Sequence, residues 1–280
     1  MLGAIIGDIV GSRFEFNNIK SKNFALLHPD CFFTDDTVMT LAIAEALMLF
    51  MVNGGDLQQL AILSMRRYGK CYPCCGYGSR FESWLASDKP IAYNSWGNGA
   101  AMRISSCGWL SHTLEEVKRY SHELTVVTHN HPEGLKGAEC TAVCIYLART
   151  GATKQEIDEA LHRYYPERFT IDALRPSYKF YESCQQTVPQ AVQCFLEAKD
   201  FEDTLRNAIS IGGDSDTLAA IAGAIAEPFF GIDENLARGA QDFLNADFLQ
   251  VLRQFDLTKF ESKVGGVARS VSRIAEKKGW

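Results

Sequence analysis

Nowhere do the 280 residues stay apolar for the about 20 positions that a membrane-spanning helix needs. The apolar start MLGAIIGDIVGSRFEF is short, carries Asp8 and has no basic leader, so it reads poorly as a signal peptide. Positive charge is not in excess: the net charge of -6 argues against a general nucleic-acid binder. Alternating strand-like runs are almost absent, and Leu124-Thr125-Val126-Val127 is too short to decide. The cysteines, nine of them and scattered, do not make a disulfide framework and suit a reducing compartment. Cys71-Tyr72-Pro73-Cys74-Cys75 holds a C-x-x-C, but no second pair follows at zinc-ribbon spacing and no βαβ pattern surrounds it, so ordinary thiols are expected. A G-x-S-x-G elbow, a Walker loop and a Rossmann fingerprint are all missing. These absences leave a soluble, cytoplasmic protein as the expectation.

What is present is helix-period patterning. Helices are expected over 2–12, 36–51, 56–69, 78–86, 113–124, 133–149, 154–164, 178–198, 201–209, 216–227, 233–243, 245–255 and 267–277, separated by brief Gly, Pro, Asn or Asp punctuation. No linker or low-complexity segment divides them, which predicts one compact all-α domain over 1–280. No long apolar surface repeat stands out, which favours a monomer. In the first helix Gly3, Gly7 and Gly11 recur every fourth residue. Each glycine costs up to about 1 kcal/mol in a helix relative to alanine, so close packing of another backbone is the expected compensation. Asp8, Ser12 and, with one more helical turn, Glu15 form a polar row beside that stripe, either solvated surface or the lining of a site.

The chemistry concentrates in an acidic cluster that occurs twice. Thr34-Asp35-Asp36-Thr37 precedes the small-residue apolar run Val38 to Ala46, and Asp214-Ser215-Asp216-Thr217 precedes Leu218 to Ala226. One such cluster alone reads as a helix N-cap with acids in the first turn. Two of them, each before the same kind of helix, read as halves of one metal site, because adjacent carboxylates repel unless a cation or proton neutralises them. Carboxylates with threonine hydroxyls are hard oxygen ligands that suit magnesium or manganese over zinc. Gly212-Gly213 before the second cluster permits an unusual backbone. Two other segments are candidates. Ser95-Trp96-Gly97-Asn98-Gly99 is either an ordinary turn or a loop presenting N–H groups to phosphate, with Trp96 as a stacking face or a core residue. In Thr128-His129-Asn130-His131-Pro132 the two histidines either bind zinc or an anion or belong to a polar loop capping the helix that Pro132 starts; no other nearby His or Cys completes a zinc set.

Taken in order, these segments resemble the ADP-ribosylglycohydrolase family, in the manner of the dinitrogenase reductase-activating glycohydrolase-like ADP-ribosylhydrolases. The resemblance rests on Gly7 to Ser12 with Glu15, Phe33 to Thr37, Gly97 to Arg103, Thr128-His129 and Gly212 to Thr217, with Gly76-Tyr77-Gly78, Phe81 and Trp84 also familial. It extends from residue 1 to about 231. The resemblance implies an orthogonal all-α bundle with two magnesium ions in a central cleft, and hydrolysis of the glycosidic bond between ADP-ribose and an acceptor. It implies Thr34, Asp35, Asp36, Asp214, Asp216 and Thr217 as metal ligands. Glu15 or Asp36 would handle the attacking water. Ser95, Trp96, Gly97, Asn98, Gly99 and His129 would bind substrate. The partner would be an ADP-ribosylated protein or a small-molecule conjugate, with nucleic acid only as an ADP-ribosylated acceptor. O-acetyl-ADP-ribose, nucleotide-linked ADP-ribose and a non-catalytic, crystallin-like role are the rival readings; the last would be marked by lost metal ligands, and none is lost. Some arginine-specific bacterial members carry an aspartate just before the glycine loop, where this chain reads Tyr93-Asn94-Ser95-Trp96. The acceptor therefore does not carry over from the resemblance.

Overall fold

The structure, a computed structural model, describes residues 1–259. In chain order its helices are α1 (Leu2–Ser12), α2 (Asp35–Asn53), α3 (Leu57–Cys71), α4 (Ser79–Ala86), a 3-10 turn (Asn98–Ala100), α5 (Ser105–Leu110), α6 (Leu114–Val126), α7 (Pro132–Arg149), α8 (Lys154–Tyr164), α9 (Ile171–Leu174), α10 (Cys184–Glu197), α11 (Phe201–Ser210), α12 (Ser215–Phe230) and α13 (Glu234–Gln241). A further helix, α14, covers 246–259. Among the described residues there is no strand, and no helix is long and apolar enough to cross a membrane. The helix expected over 267–277 lies outside the described residues. All nine cysteines are free thiols.

The helices start where side chains satisfy their first N–H groups. Thr113, Thr153 and Asp200 cap α6, α8 and α11, and Thr153 forms a full capping box with Glu156. Two expectations need correction. The helix expected over 178–198 begins only at Cys184, because residues before it run extended beside the 96–98 loop. There Asn98 N–H donates to the Glu182 carbonyl at 2.7 Å, Cys184 N–H donates to the Trp96 carbonyl at 2.9 Å, and Gly97 pairs with Ser183 in an antiparallel bridge. The first helix does not extend a further turn: it stops at Ser12, and Glu15 belongs to the turn that follows. The short α5 escapes periodicity because all six of its residues are buried, leaving no polar face to mark it.

α12 is the central helix; its residues from Ser215 to Ala226 are all buried, and it packs against α1, α7, α10 and α11. The glycine stripe of α1 lies directly on it. A Cβ added at Gly3 would sit 2.3 Å from the Gly223 carbonyl oxygen, one at Gly7 2.1 Å from that of Ala219, and one at Gly11 2.5 Å from the Asp216 Cα. The two backbones therefore touch, at a separation no side chain survives. Overpacking of this kind costs about 1–3 kcal/mol and sometimes more. Gly7→Val should accordingly lose at least about 3 kcal/mol in urea unfolding or fail to give folded protein; a change under about 0.5 kcal/mol would contradict direct backbone contact.

Candidate active site

α1 carries a second job on its other side. Asp8 is fully buried, and its carboxylate accepts from Thr34 N–H at 2.9 Å, Thr34 Oγ1 at 2.7 Å, Thr37 N–H at 3.0 Å and the Thr37 hydroxyl. Burial pushes this carboxyl up, and those donors work against the push. Thr34 in turn caps α2 by accepting from Asp36 N–H at 3.2 Å. Asp8 thus sets the first turn of α2 from outside it. It was not among the site residues expected from sequence; the signal available was the polar row beside the glycine stripe.

The two acidic clusters meet. Thr217 Oγ1, at the start of α12, donates to Asp36 Oδ2 at 3.1 Å, across 181 positions of sequence. Asp214 occupies the N-cap position of α12 but makes no capping bond. Its carboxylate accepts from Asn98 Nδ2 at 2.7 Å instead. The capping reading therefore describes Thr34 and fails for Asp214. Gly212 and Gly213 take φ of +69° and +80°. Asn18 clamps the Gly213 peptide, donating to its carbonyl at 2.8 Å and accepting from its N–H at 2.6 Å, and it also donates to the Glu15 carbonyl at 2.9 Å. That clamp joins the Glu15 turn to the second cluster, and sequence reasoning missed it. One oxygen each of Glu15, Asp214 and Asp216 lie within 4.8 Å of one another.

This centre is electrostatically unsatisfied. Asp36 Oδ1 and Asp216 Oδ1 are buried with no hydrogen-bond partner. Burial first, then the Asp216 charge, push Asp35 and Asp36 well above the usual carboxylate range. Burial and Asp214 do the same to Asp216. Burial raises Asp214 to about 6, and burial with Asp216 and Asp8 raises Glu15 to about 8. Orphaned carboxylate oxygens in an all-oxygen donor set fit a hard divalent cation. The N-termini of α2 and α12, which both point here, add favourable dipole ends.

Around the centre is a cleft of about 320 Å³. It brings together Glu15, Asp35, Asp36, Asp214, Asp216 and Thr217 with Ser95, Gly97, Asn98, Gly99 and His129. Thr34 lies behind it, between Asp8 and α2. Trp96 does not line it: the indole is half exposed, 5.3 Å from the His131 ring, in an adjoining groove. The glycine loop does not offer all its N–H groups to a ligand either, because Gly97 N–H donates to Ser95 Oγ at 3.2 Å and Asn98 N–H to Glu182. The two histidines separate. His131 Nδ1 caps α7 by accepting from Glu133 N–H at 3.1 Å, while His129 is buried against the cleft. Arg103, also buried, donates to Thr128 Oγ1 at 2.6 Å, and Thr128 Oγ1 lies 2.8 Å from His129 Nδ1. Burial, then Arg103 and Arg80, hold His129 well below its usual range. A neutral ring with Nδ1 accepting carries its proton on Nε2, the atom nearest the open side of Gly97 and Gly99. Arg103 stood inside a motif, but nothing in the sequence gave it this role.

The raised carboxyls set a pH dependence. Unfolded carboxyls ionise near pH 4, whereas the folded ones hold protons up to about 8 in the case of Glu15. Between those limits the folded chain binds more protons, so stability must fall as pH rises. In chelator the melting temperature should therefore drop from pH 5 to pH 8, and an added divalent cation should raise it more at pH 8. A flat profile with no cation response would contradict the buried acidic centre.

The ADP-ribosylglycohydrolase family model matches residues 1–248. ADP-ribosylhydrolase ARH3 of Mus musculus is 25% identical, over 89% of this chain and 88% of its own. ADP-ribosylarginine hydrolase Tri1 of Pseudomonas putida is 26% identical, over 83% of this chain and 70% of its own. A solved structure described as an ADP-ribosylglycohydrolase-related protein complex shares the fold, with a TM-score of 0.62 at 22% identity over 93% of this chain and 94% of that one. With the helical architecture and the joined acidic clusters, the match over nearly the whole described chain means that this protein belongs to the ADP-ribosylglycohydrolase family.

Proposed function

We propose that this cleft hydrolyses the glycosidic bond between ADP-ribose and an acceptor, with two magnesium ions, or manganese in their place, held between the acidic clusters. The observation that carries the reading is the pair of buried, unpartnered oxygens on Asp36 and Asp216, from clusters joined by the Thr217–Asp36 bond. Asp35, Asp36, Asp214, Asp216 and Thr217, which line the cleft, would hold the ions; Thr34 would join them only through the hydroxyl lone pair that its bonds to Asp8 and to Asp36 N–H leave over. When bound, such ions supply positive charge that orients ribose hydroxyls and makes a nearby water a better nucleophile.

The chain's own residues do the rest. Glu15 is only half-buried, on a turn rather than a helix, so it reaches both solvent water and the acidic centre. In the ionised form that a bound cation would favour, its carboxylate takes the proton of the attacking water, and Asp36 is the second candidate for that role. Asp8 and Asn18 keep the two clusters and Glu15 in register. The His129 Nε2–H and the Gly97–Gly99 loop bound the wall on which the nucleotide part of the substrate lies, with Ser95 and Asn98 beside it and Trp96 at the outer rim. The carboxylates near the ribose also favour the positive charge that develops at the anomeric carbon as the acceptor leaves. The acceptor is a protein side chain, such as arginine, or a small molecule. O-acetyl-ADP-ribose and nucleotide-linked ADP-ribose are the alternatives.

Mass spectrometry of released ADP-ribose from an ADP-ribosylated peptide tests this. Wild-type protein should turn over with magnesium and stop in chelator. Asp36→Asn and Asp216→Asn should each lose at least about a hundredfold in kcat/KM. Full turnover by Asp216→Asn in chelator would overturn the two-metal reading.

A further inference from the structure

The proposed reaction uses no cysteine, yet the thiols are unevenly placed. Cys31, Cys107, Cys140, Cys144, Cys184 and Cys194 are buried. The accessible thiols are gathered in the turn that follows α3, where Cys71 and Cys74 are exposed and Cys75 is half-buried. Cys74 takes φ of +64°, a left-handed backbone that favours glycine and strains a residue with a side chain. The chain carries a thiol there nonetheless.

This turn leans on the acidic centre. Asp35 N–H, one of the first donors of α2 and so without a partner inside its helix, donates to the Cys75 carbonyl at 2.7 Å. A Cβ added at Gly76 would sit 3.2 Å from Asp35 Oδ1. The other end of the turn is tied down: Tyr72 N–H donates to the Tyr68 carbonyl at 2.9 Å, and the Tyr72 carbonyl accepts from the Tyr77 hydroxyl at 2.9 Å. A change of shape between Cys71 and Cys75 is therefore passed on to Asp35.

Only one pairing of these thiols suits the geometry. Neighbouring Cα atoms lie about 3.8 Å apart, short of the about 4.4–6.8 Å that a disulfide spans, which disfavours Cys74 with Cys75. Cys75 Sγ also turns to the Pro73 carbonyl at 3.9 Å. Cys71 ends α3 and stands three residues before Cys74, at C-x-x-C spacing. We propose that Cys71 and Cys74 are an oxidisable dithiol whose disulfide weakens cation binding beside Asp35; the coupling rests on the metal reading above. The oxidant is hydrogen peroxide. The Cys74 thiolate attacks one peroxide oxygen, the O–O bond breaks, and water leaves a sulfenic acid behind. The Cys71 sulfur then displaces the sulfenic hydroxyl, which departs as a second water. The two thiols lose two electrons and two protons, and one peroxide becomes two waters. Ring closure draws Cys74 towards the end of α3, and the carbonyl that holds Asp35 belongs to the next residue.

The test treats reduced protein with hydrogen peroxide, removes the excess with catalase, alkylates, and digests with trypsin, which releases 71–80 as one peptide. That peptide should carry a Cys71–Cys74 bridge and an alkyl group on Cys75 alone. The magnesium concentration that gives half the melting-temperature shift should rise about tenfold, the usual effect of losing a group that orients a metal ligand, and return with dithiothreitol. Cys74→Gly, which suits the left-handed backbone, should respond to magnesium like reduced wild type before and after peroxide. Three alkylated cysteines after peroxide, or a bridge to Cys75, would overturn the inference. So would a mapped bridge with an unchanged magnesium response, or an equal loss of response in Cys74→Gly. Reduced wild type that ignores magnesium would overturn the metal reading and the coupling together.

Discussion

The contact between the backbones of α1 and α12 is the constraint on which the site depends. It exists because Gly3, Gly7 and Gly11 carry no Cβ where α12 passes. It brings the end of α1, and so Glu15, to the start of α12, and so to Asp214 and Asp216. On its far side α1 places Asp8 under the first turn of α2, where four donors from Thr34 and Thr37 converge on one carboxylate. A single eleven-residue helix thereby registers two chain segments about 180 residues apart against each other. The Thr217–Asp36 bond closes the arrangement.

The arrangement is costly in the protein alone. Buried carboxylates that repel one another, with two oxygens unpartnered, break the rule that interior polar groups are satisfied. Local conflict inside an otherwise consistent fold is what a binding site requires. The hydrophobic surroundings supply the rigidity: α12 is buried along most of its length, so Asp214 to Thr217 cannot swing apart to relieve their repulsion. Donors from Asn98 and Thr217 soften the conflict without removing it. On the reading proposed here, metal ions remove it, and the same field then orients a ribose.

Much of this was legible in the chain. A repeating apolar face marks α3, α6, α8 and α11, whereas α2 and α7 are buried on most sides and are marked instead by long apolar runs with Thr34 or Pro132 at their starts. The glycine stripe announced a close helix contact, and the twin clusters announced a shared centre. What stayed hidden depended on long-range partners. Asp8 read as one of three polar residues until Thr34 and Thr37 were seen around it. Asn18 lies in an irregular segment without periodicity, so its clamp on Gly213 had no local signature. Residues 178–183 resembled the start of a helix, but their backbone hydrogen bonds go to the 96–98 loop. That tertiary pairing overrode the local pattern, and it is the reason Glu182 reaches the cleft. Likewise two similar histidines, two positions apart, diverge because His131 turns to cap α7 while His129 is held by Thr128 and Arg103.

The most direct test of a centre shared by the two clusters is anomalous diffraction at the manganese edge from a crystal soaked in Mn2+. Two adjacent peaks, bounded by Asp35 and Asp36 on one side and by Asp214 and Asp216 on the other, are the predicted result. No peak in the cleft, or density confined to surface carboxylates elsewhere, would contradict it.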